Sequence, residues 1–235
     1  MSKRIITAKK LILLEKFQEA KQILEQVANE NNEEAQLILG YLYYDAGSNT
    51  SPEQAHYWLD RSAKNGNANA MYYLATTNFE KGETSTESES AESFALLKKA
   101  AKMGSAEAQR NLAIIYAHRE TLKDNKKVMY WDEKAAKQGL AESQNDLAVM
   151  LLYGDNGASN VPKAIFWYKK SAEKDYNVPY AQWAAEALER IYSGDPNISY
   201  RDTEKEKYWS DRAKFLETIE YRPHPDWFYS NLEYM

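Results

Sequence analysis

Trp58-Leu-Asp-Arg-Ser-Ala-Lys-Asn-Gly66 and Trp131-Asp-Glu-Lys-Ala-Ala-Lys-Gln-Gly139 are two copies of one pattern, in which a tryptophan opens a helical segment and a glycine closes it. Upstream of each copy, an alanine is followed four residues later by a leucine. These leucines recur as Leu39, Leu74, Leu112, Leu147 and Leu188, at spacings of 35, 38, 35 and 41 residues. A period of this length is one helical hairpin, and such hairpins bury their apolar faces against their neighbours. The sequence therefore predicts an all-α fold, a right-handed α/α superhelix (solenoid) of about six helix-turn-helix repeats.

The repeats divide the chain into three parts of one continuous domain. Residues 1–33 form a compact first hairpin that looks like a tetratricopeptide repeat, and residues 34–218 hold five longer repeats. Residues 219–235 leave the pattern. In this last segment Pro223 and Pro225 prevent a continuous helix, while the run Trp227-Phe-Tyr229 is too apolar to stay in water. We expect the segment to fold back on the sixth repeat as a cap, with an aromatic hook that binds a partner or a second copy as the alternative.

Small residues and glycines mark the packing positions of the repeats. Gly40 corresponds to Ala75, Ala113 and Ala148, at a place where the two helices of a hairpin must approach closely. Glycines at positions 66, 104 and 139 follow the second helices, where we expect left-handed caps. The segment from Gly82 to Ser90 is rich in Glu, Ser and Thr and is expected to be a solvated, mobile loop. The alternative is an acidic lip that meets a basic partner.

Composition limits the class of partner. The 235 residues contain 30 Lys and Arg against 35 Asp and Glu, a net charge of -5, which disfavours binding to nucleic acid or an anionic membrane and suits a basic protein partner. The absence of cysteine excludes disulfides and thiolate metal sites. The apolar run Leu11-Ile-Leu-Leu14 is too short for a signal peptide or a membrane span, so we expect a soluble cytoplasmic protein.

Residues with catalytic potential do not form a recognisable constellation in the sequence. His56, His118 and His224 fall in different repeats, without further ligands at metal spacing. Nucleophile-elbow, phosphate-binding and dinucleotide motifs are missing, and the carboxylates fall on polar helix faces. We expect neither an enzyme nor a cofactor or metal.

The repeat register predicts a concave groove lined by the residues two before, two after and five after each recurring leucine. From this set the expected partner-binding residues are Tyr41, Tyr44, Tyr72, Phe79, Arg110, Asn145 and Arg190, because aromatic residues and arginine are frequent interface anchors. Ordinary packing between repeats is the alternative reading of these positions. The recurring tryptophans, by contrast, are expected to be structural: Trp58, Trp131, Trp167 and Trp209. We expect the groove tyrosines to matter for binding and little for stability.

The repeats resemble the Sel1-like repeat family, relatives of the tetratricopeptide repeat with a longer loop between the helices. The resemblance rests on Ala35…Leu39-Gly40-x-Leu42-Tyr43, on Ala55-x-x-Trp58 and on Ala164-x-x-Trp167-Tyr168-Lys-Lys-Ser-Ala172, and it extends from residue 34 to about residue 217. It implies a protein-interaction scaffold or adaptor that binds a protein or peptide in its groove. Some bacterial members are immunity proteins against secreted toxins, which is the alternative function. An enzyme, most simply a hydrolase, is the third and weakest hypothesis.

Overall fold

A computed structural model provides the fold and describes residues 3–45, 51–79, 87–154, 157–175, 178–194, 200–219, 225 and 228. In these ranges twelve α-helices follow one another, with one 3-10 turn at Glu120–Leu122. The prediction of an all-α fold built from consecutive helix pairs is confirmed. The helices are α1 Lys3–Leu13, α2 Phe17–Asn29, α3 Glu33–Asp45, α4 Pro52–Lys64, α5 Ala68–Phe79, α6 Glu87–Lys102, α7 Ala106–His118, α8 Asn125–Lys137, α9 Ala141–Tyr153, α10 Val161–Ala172, α11 Val178–Tyr192 and α12 Thr203–Glu217.

Local chemistry at the ends of the second helices explains where they begin and end. A polar side chain accepts a backbone N–H bond at the start of α4, α8, α10 and α12; the four caps are Ser51, Asp124, Asn160 and Asp202. Each cap satisfies a donor that has no partner within the helix. Glycines follow α4, α6 and α8 with φ of +93°, +106° and +102°, at positions 66, 104 and 139. The predicted left-handed caps are therefore confirmed.

The two helices of a hairpin approach each other so closely that the first of them needs a small residue at the contact. A Cβ atom placed on Gly40 would lie 2.6 Å from Cγ of Leu59, which is closer than real carbon contacts allow. Its counterparts Ala75, Ala113 and Ala148 are completely or almost completely buried. Helix packing accounts for all four positions, as predicted, without any role for a ligand.

The described residues form two compact units. Unit 1 contains the residues up to 108 together with Phe228, and unit 2 contains the residues from 109 to 225. In unit 1 the largest core cluster joins apolar residues of α1 to α4, whereas in unit 2 it joins residues of α9 to α12. Alanines fill many of the positions where helices meet, which allows the hairpins to pack closely.

Phe228 corrects the expectation for the C-terminal segment. Its side chain is completely buried in the core of unit 1, in a cluster that includes Ile5 and Leu39. Packing on the sixth repeat is therefore wrong for Phe228, and the remaining aromatic residues of the segment lie outside the described ranges. Burial of this apolar ring against the first hairpin removes it from water.

Lys9 lies beneath this ring and is also fully buried. Its ammonium Nζ is 3.1 Å from Oε1 of Glu34 and 5.7 Å from the centroid of the Phe228 ring. The buried charge is thus paired with a carboxylate and an aromatic face, the two environments that compensate a desolvated cation.

The acidic loop is shorter than predicted. Helix α6 begins at Glu87, so the expected loop is wrong for residues 87–90, which are helical. Of the segment expected to form the acidic lip, residues 82–86 lie outside the described ranges.

Candidate functional site

The predicted groove positions of the fourth and fifth repeats line a cavity of about 600 Å³ in unit 2. We call it the α7–α9 cavity. Ile114 and Ala117 of α7 and Val149 of α9 lie on its wall, all three at positions that the repeat register assigns to the groove. The full lining is Ala113, Ile114, Ala117, His118, Asn125, Val128, Asp132, Asp146, Val149 and Met150. Six of these ten residues are apolar, and the polar ones are His118, Asn125 and the two carboxyl-bearing residues Asp132 and Asp146.

Arg110 connects the two helices beside this cavity. Its Nε lies 2.8 Å from Oε2 of Glu142, and its Nη1 donates to Oδ2 of Asp146. Burial opposes the charged form, but the carboxylates of Asp146 and Glu142 outweigh it and raise the pKa of Arg110. With a side chain only 17% exposed, Arg110 links α7 to α9, although the sequence predicts a partner-binding anchor. Its guanidinium is already engaged by carboxylates of its own chain.

Asp132 is the residue that sequence reasoning missed. It lies on α8, is 3% exposed, and its Oδ1 accepts a hydrogen bond of 2.9 Å from Oγ of Ser143. Burial raises the pKa of the Asp132 carboxyl to about 7, although the hydrogen bond from Ser143 and the charge of Arg110 act in the opposite direction. A carboxyl group with this pKa holds its proton in part of the molecules at neutral pH.

The repeat register contains the signal that would have found Asp132. It directly follows the position of the recurring tryptophan, a place occupied by the buried residues Leu59, Leu97 and Tyr168 in three other repeats and by the half-buried Ser210 in the sixth. Ser143 likewise stands where the other repeats have Ala35, Ala70, Ala108 and Ala184. The two polar residues thus replace apolar ones at separate positions and then bind each other. A buried carboxyl group at a position that three other repeats fill with leucine or tyrosine is costly to desolvate even when it is hydrogen-bonded, which makes Asp132 a candidate for a role other than packing.

The corresponding positions of unit 1 are filled by tyrosine rings. Tyr41 is 4% exposed, and its ring centroid lies 5.7 Å from that of Tyr73, which Tyr44 and Tyr72 also contact at 5.9 and 5.1 Å. The expectation that Tyr41 matters little for stability is inconsistent with this burial, because the ring belongs to a core cluster with Leu37 and Leu59. Tyr44 and Tyr72 are half-buried and keep some accessible surface.

Three further predicted groove residues differ in their accessibility. Asn145 is 7% exposed, and its Nδ2 donates to the backbone oxygen of Tyr180 at 2.7 Å, so it joins α9 to α11 instead of facing a partner. Arg190 is exposed on α11. The side chain of Phe79 lies outside the described part of the structure. A role in partner binding stays a prediction for Arg190, Tyr44 and Tyr72.

The recurring tryptophans occupy two environments. Trp58 and Trp209 are 6% and 4% exposed, whereas Trp131 and Trp167 are half-buried. Each of the four packs edge-on against the aromatic ring that precedes it in the sequence, with centroids 4.8–5.0 Å apart. These preceding rings are themselves at least half exposed and lie on the second helices: Tyr57, Tyr130, Phe166 and Tyr208. Sequence reasoning did not single them out.

The described residues contain neither a helix suited to cross a membrane nor a group of side chains suited to hold a metal ion. Among the helices of these ranges, none combines the length and the apolar character that a membrane span requires. Within the same ranges, histidine and carboxylate side chains do not assemble into a group of three that could hold a metal ion.

Comparison with protein families identifies the repeat. The model of the Sel1 repeat matches residues 33–67, 68–105, 106–140 and 141–176, which is more than half of the chain. A search of curated proteins finds no match.

Solved structures show the same fold. A Sel1 repeat protein from Oxalobacter formigenes has a TM-score of 0.69 at 20% identity, with 90% of this chain and 86% of that chain covered. Two proteins of Pseudomonas aeruginosa are described as immunity proteins: PA5088, with a TM-score of 0.61 at 17% identity over 88% and 79% of the two chains, and Pa5087, with a TM-score of 0.58 at 18% identity over 91% and 80%. These similarities place the chain in the all-α solenoid class.

Proposed function

Because this chain belongs to the Sel1 repeat family, whose members are commonly protein-interaction scaffolds, we propose that it binds a protein partner against the surface formed by α7 and α9. The observation that carries this proposal is the α7–α9 cavity with its buried Asp132–Ser143 pair. The scaffold also folds with leucine and alanine at these two positions, as Leu59 with Ala70 and Leu97 with Ala108 show. Polar residues that the fold does not require are typical of binding sites.

Charge supports a partner with a basic surface. Helix α9 carries Glu142 and Asp146 without a lysine or arginine, whereas α10 carries three lysines without a carboxylate. Helix α9 therefore carries the acidic side of its hairpin, with Arg110 of α7 balancing part of its charge. Complementary charge accelerates association and selects against acidic partners. The proposal includes a bacterial, cytoplasmic protein without catalytic activity of its own.

Site-specific cross-linking tests the location of the partner. A photoreactive amino acid replaces Val149, which is 39% exposed on the cavity wall, and in a matched variant it replaces Phe166, which is 51% exposed on α10. After irradiation in the native host, we expect one protein to be captured at position 149 and not at position 166. Binding of the purified captured protein is then measured by calorimetry. Equal capture at both positions, or a captured protein that does not bind when purified, contradicts the proposal.

An immunity function is the second candidate. It is favoured by the similarity to PA5088 and Pa5087, which extends over about 90% of this chain and about 80% of each of theirs. The captured partner distinguishes the two functions. If this partner arrests growth when expressed alone, and co-expression of the chain restores growth, the chain is an immunity protein. A partner that is harmless alone indicates an adaptor.

A further inference from the structure

We propose that the α7–α9 cavity binds one basic side chain of the partner, with the aliphatic stem between Ile114 and Val149 and the cationic group at Asp132 and Asp146. This inference rests on the proposed function and names the chemistry that the partner contributes. The shared feature of lysine and arginine, an apolar stem that ends in a cation, matches a cavity with apolar walls and acidic groups.

The walls of the cavity are suited to an aliphatic stem. Ile114 and Val149 are each 39% exposed although they are large and apolar, and Met150 lines the same space. Burial of a methylene group between such side chains is worth about 0.8 kcal/mol. The unbranched thioether side chain of Met150 adapts its shape readily to an inserted chain. A polar or acidic side chain would gain nothing from these walls.

The carboxyl groups beside the cavity outnumber the one cation that they share. The guanidinium of Arg110 is shared by Glu142 and Asp146, and it lies close enough to Asp132 to interact with it electrostatically. Three carboxyl groups therefore surround one internal cation. The Asp146 side chain is 46% exposed, so one of its sides remains open to solvent. A second cation at Asp132 and Asp146 would balance the cluster without displacing Arg110.

Protonation of Asp132 makes the binding of a cation depend on pH. Since burial raises the pKa of Asp132 to about 7, the ionised form that attracts a cation becomes dominant above neutrality. The charged or titratable groups that act on Asp132 or line the cavity with it are Arg110 and His118 on α7 and Asp146 on α9. Glu142, Tyr168 and Tyr180 interact with Arg110 or Asp146. Burial raises the pKa of Tyr168 to about 12 and that of Tyr180 above its ordinary value, so both stay neutral. Affinity for a cation should therefore increase about tenfold from pH 6 to pH 8.

Small probes test this inference without the partner. n-Butylammonium and n-butylguanidinium are titrated into the full chain, and n-butanol provides an uncharged probe of similar length. The readout is the NMR signals of the methyl groups of Ile114, Val149 and Met150. We expect both cations to shift these signals at pH 8, with affinities at least tenfold above that of butanol. If butanol binds equally well, or if none of the probes shifts these signals, the inference is wrong.

Variants assign the effect to the carboxyl group. Asp132→Asn should reduce the affinity for n-butylammonium at least tenfold at pH 8. Glu133→Gln removes the same charge from the next residue of α8, which is exposed and paired with Lys137, and should leave the affinity unchanged. The double variant Asp132→Leu with Ser143→Ala restores the residues of other repeats; it should fold and lose binding. His118→Gln should keep the pH dependence, because this dependence is assigned to Asp132. Loss of the pH dependence in His118→Gln contradicts the assignment.

Failure of this inference can be told apart from failure of the proposed function. If position 149 captures a partner that binds Asp132→Asn as tightly as it binds the original chain, the basic side chain does not enter the cavity, but the scaffold function stands. If the cationic probes bind and position 149 captures no protein, the scaffold function fails and the cavity binds a small cation instead.

Discussion

Unit 1 and unit 2 use the same repeat register differently. Tyr41 and Val149 both stand two residues after a recurring leucine, yet Tyr41 is 4% exposed within a group of tyrosine rings and Val149 is 39% exposed on a cavity wall. In unit 1, aromatic side chains fill the space between first helices. In unit 2, smaller side chains leave it open, and polar residues replace the leucine and alanine behind it.

This difference separates what the fold requires from what it permits. The recurring alanines and the small residue of the first helix are buried in both units, because the helices must approach closely there. The groove positions need only be filled or left open, so they can differ from one repeat to the next. A repeat protein can therefore change its binding specificity by changing the residues at such positions, while its scaffold stays the same.

The largest expected effect on stability comes from removing a buried side chain at a groove position of unit 1. Tyr41→Ala removes a buried ring and should destabilise unit 1 by about 3–5 kcal/mol, the range typical of aromatic core truncations. Hydrogen exchange should accelerate in α3, α4 and α5. As a control, Tyr41→Phe keeps the ring and should retain most of the stability. If Tyr41→Ala unfolds at the same urea concentration as the original chain, the distinction between filled and open positions fails.

A smaller effect concerns the buried carboxyl of unit 2 and depends on pH. The folded pKa of Asp132 is about 7 against an ordinary value of 3.8, so the folded chain holds this proton more tightly than the unfolded chain. Stability is therefore lost as the pH rises from about 4 to about 7. Asp132→Asn avoids this loss, and its gain in unfolding free energy should grow by roughly 3 kcal/mol between pH 5 and pH 8.

Urea unfolding at both pH values measures this gain, with Glu133→Gln as the control. The exposed Glu133 side chain, 48% accessible and paired with Lys137, should show no such growth. A constant difference between Asp132→Asn and the original chain across this pH range would contradict the assigned pKa. Since the variant is expected to be more stable at pH 8, a loss of cation binding in it cannot be attributed to unfolding.

The fold is predictable because residues of the same size and polarity recur at the same packing positions in several repeats. The alanines, Gly40 and the capping glycines were each interpretable from their recurrence and from helix geometry. The cavity was only half predictable: the register located Ile114 and Val149, but the carboxylate of Asp132 looked like part of an ordinary polar helix face. Its burial depends on which side of α8 meets α9, and the register shows this once Leu59 and Leu97 are aligned with it.

Phe228 could not be predicted for a different reason. Its burial results from a contact distant in sequence, and neither periodicity nor composition specifies which apolar surface a terminal ring will cover. The prediction correctly required that the ring be covered but chose the nearest repeat. The burial of Tyr41 has a similar cause: the register gives its groove position, but the contact with the Tyr73 ring depends on how α3 packs against α5.

The smallest expected effect on stability is at Val149, the position of unit 2 that is equivalent to Tyr41. Val149→Ala trims a side chain that is already 39% exposed, so it should change the unfolding free energy of unit 2 by less than about 1 kcal/mol. Tyr41→Ala, at the equivalent position of unit 1, is expected to cost several times more. Affinity should respond in the opposite order, since Val149 contributes a wall of the cavity: Val149→Ala should weaken n-butylammonium binding severalfold, while Tyr41→Ala leaves it unchanged. Urea unfolding and the NMR titration measure the two quantities on the same samples. If Val149→Ala destabilises the chain as strongly as Tyr41→Ala, Val149 belongs to the core. The groove positions of both units would then serve packing, and the proposed binding role of the cavity wall would be wrong.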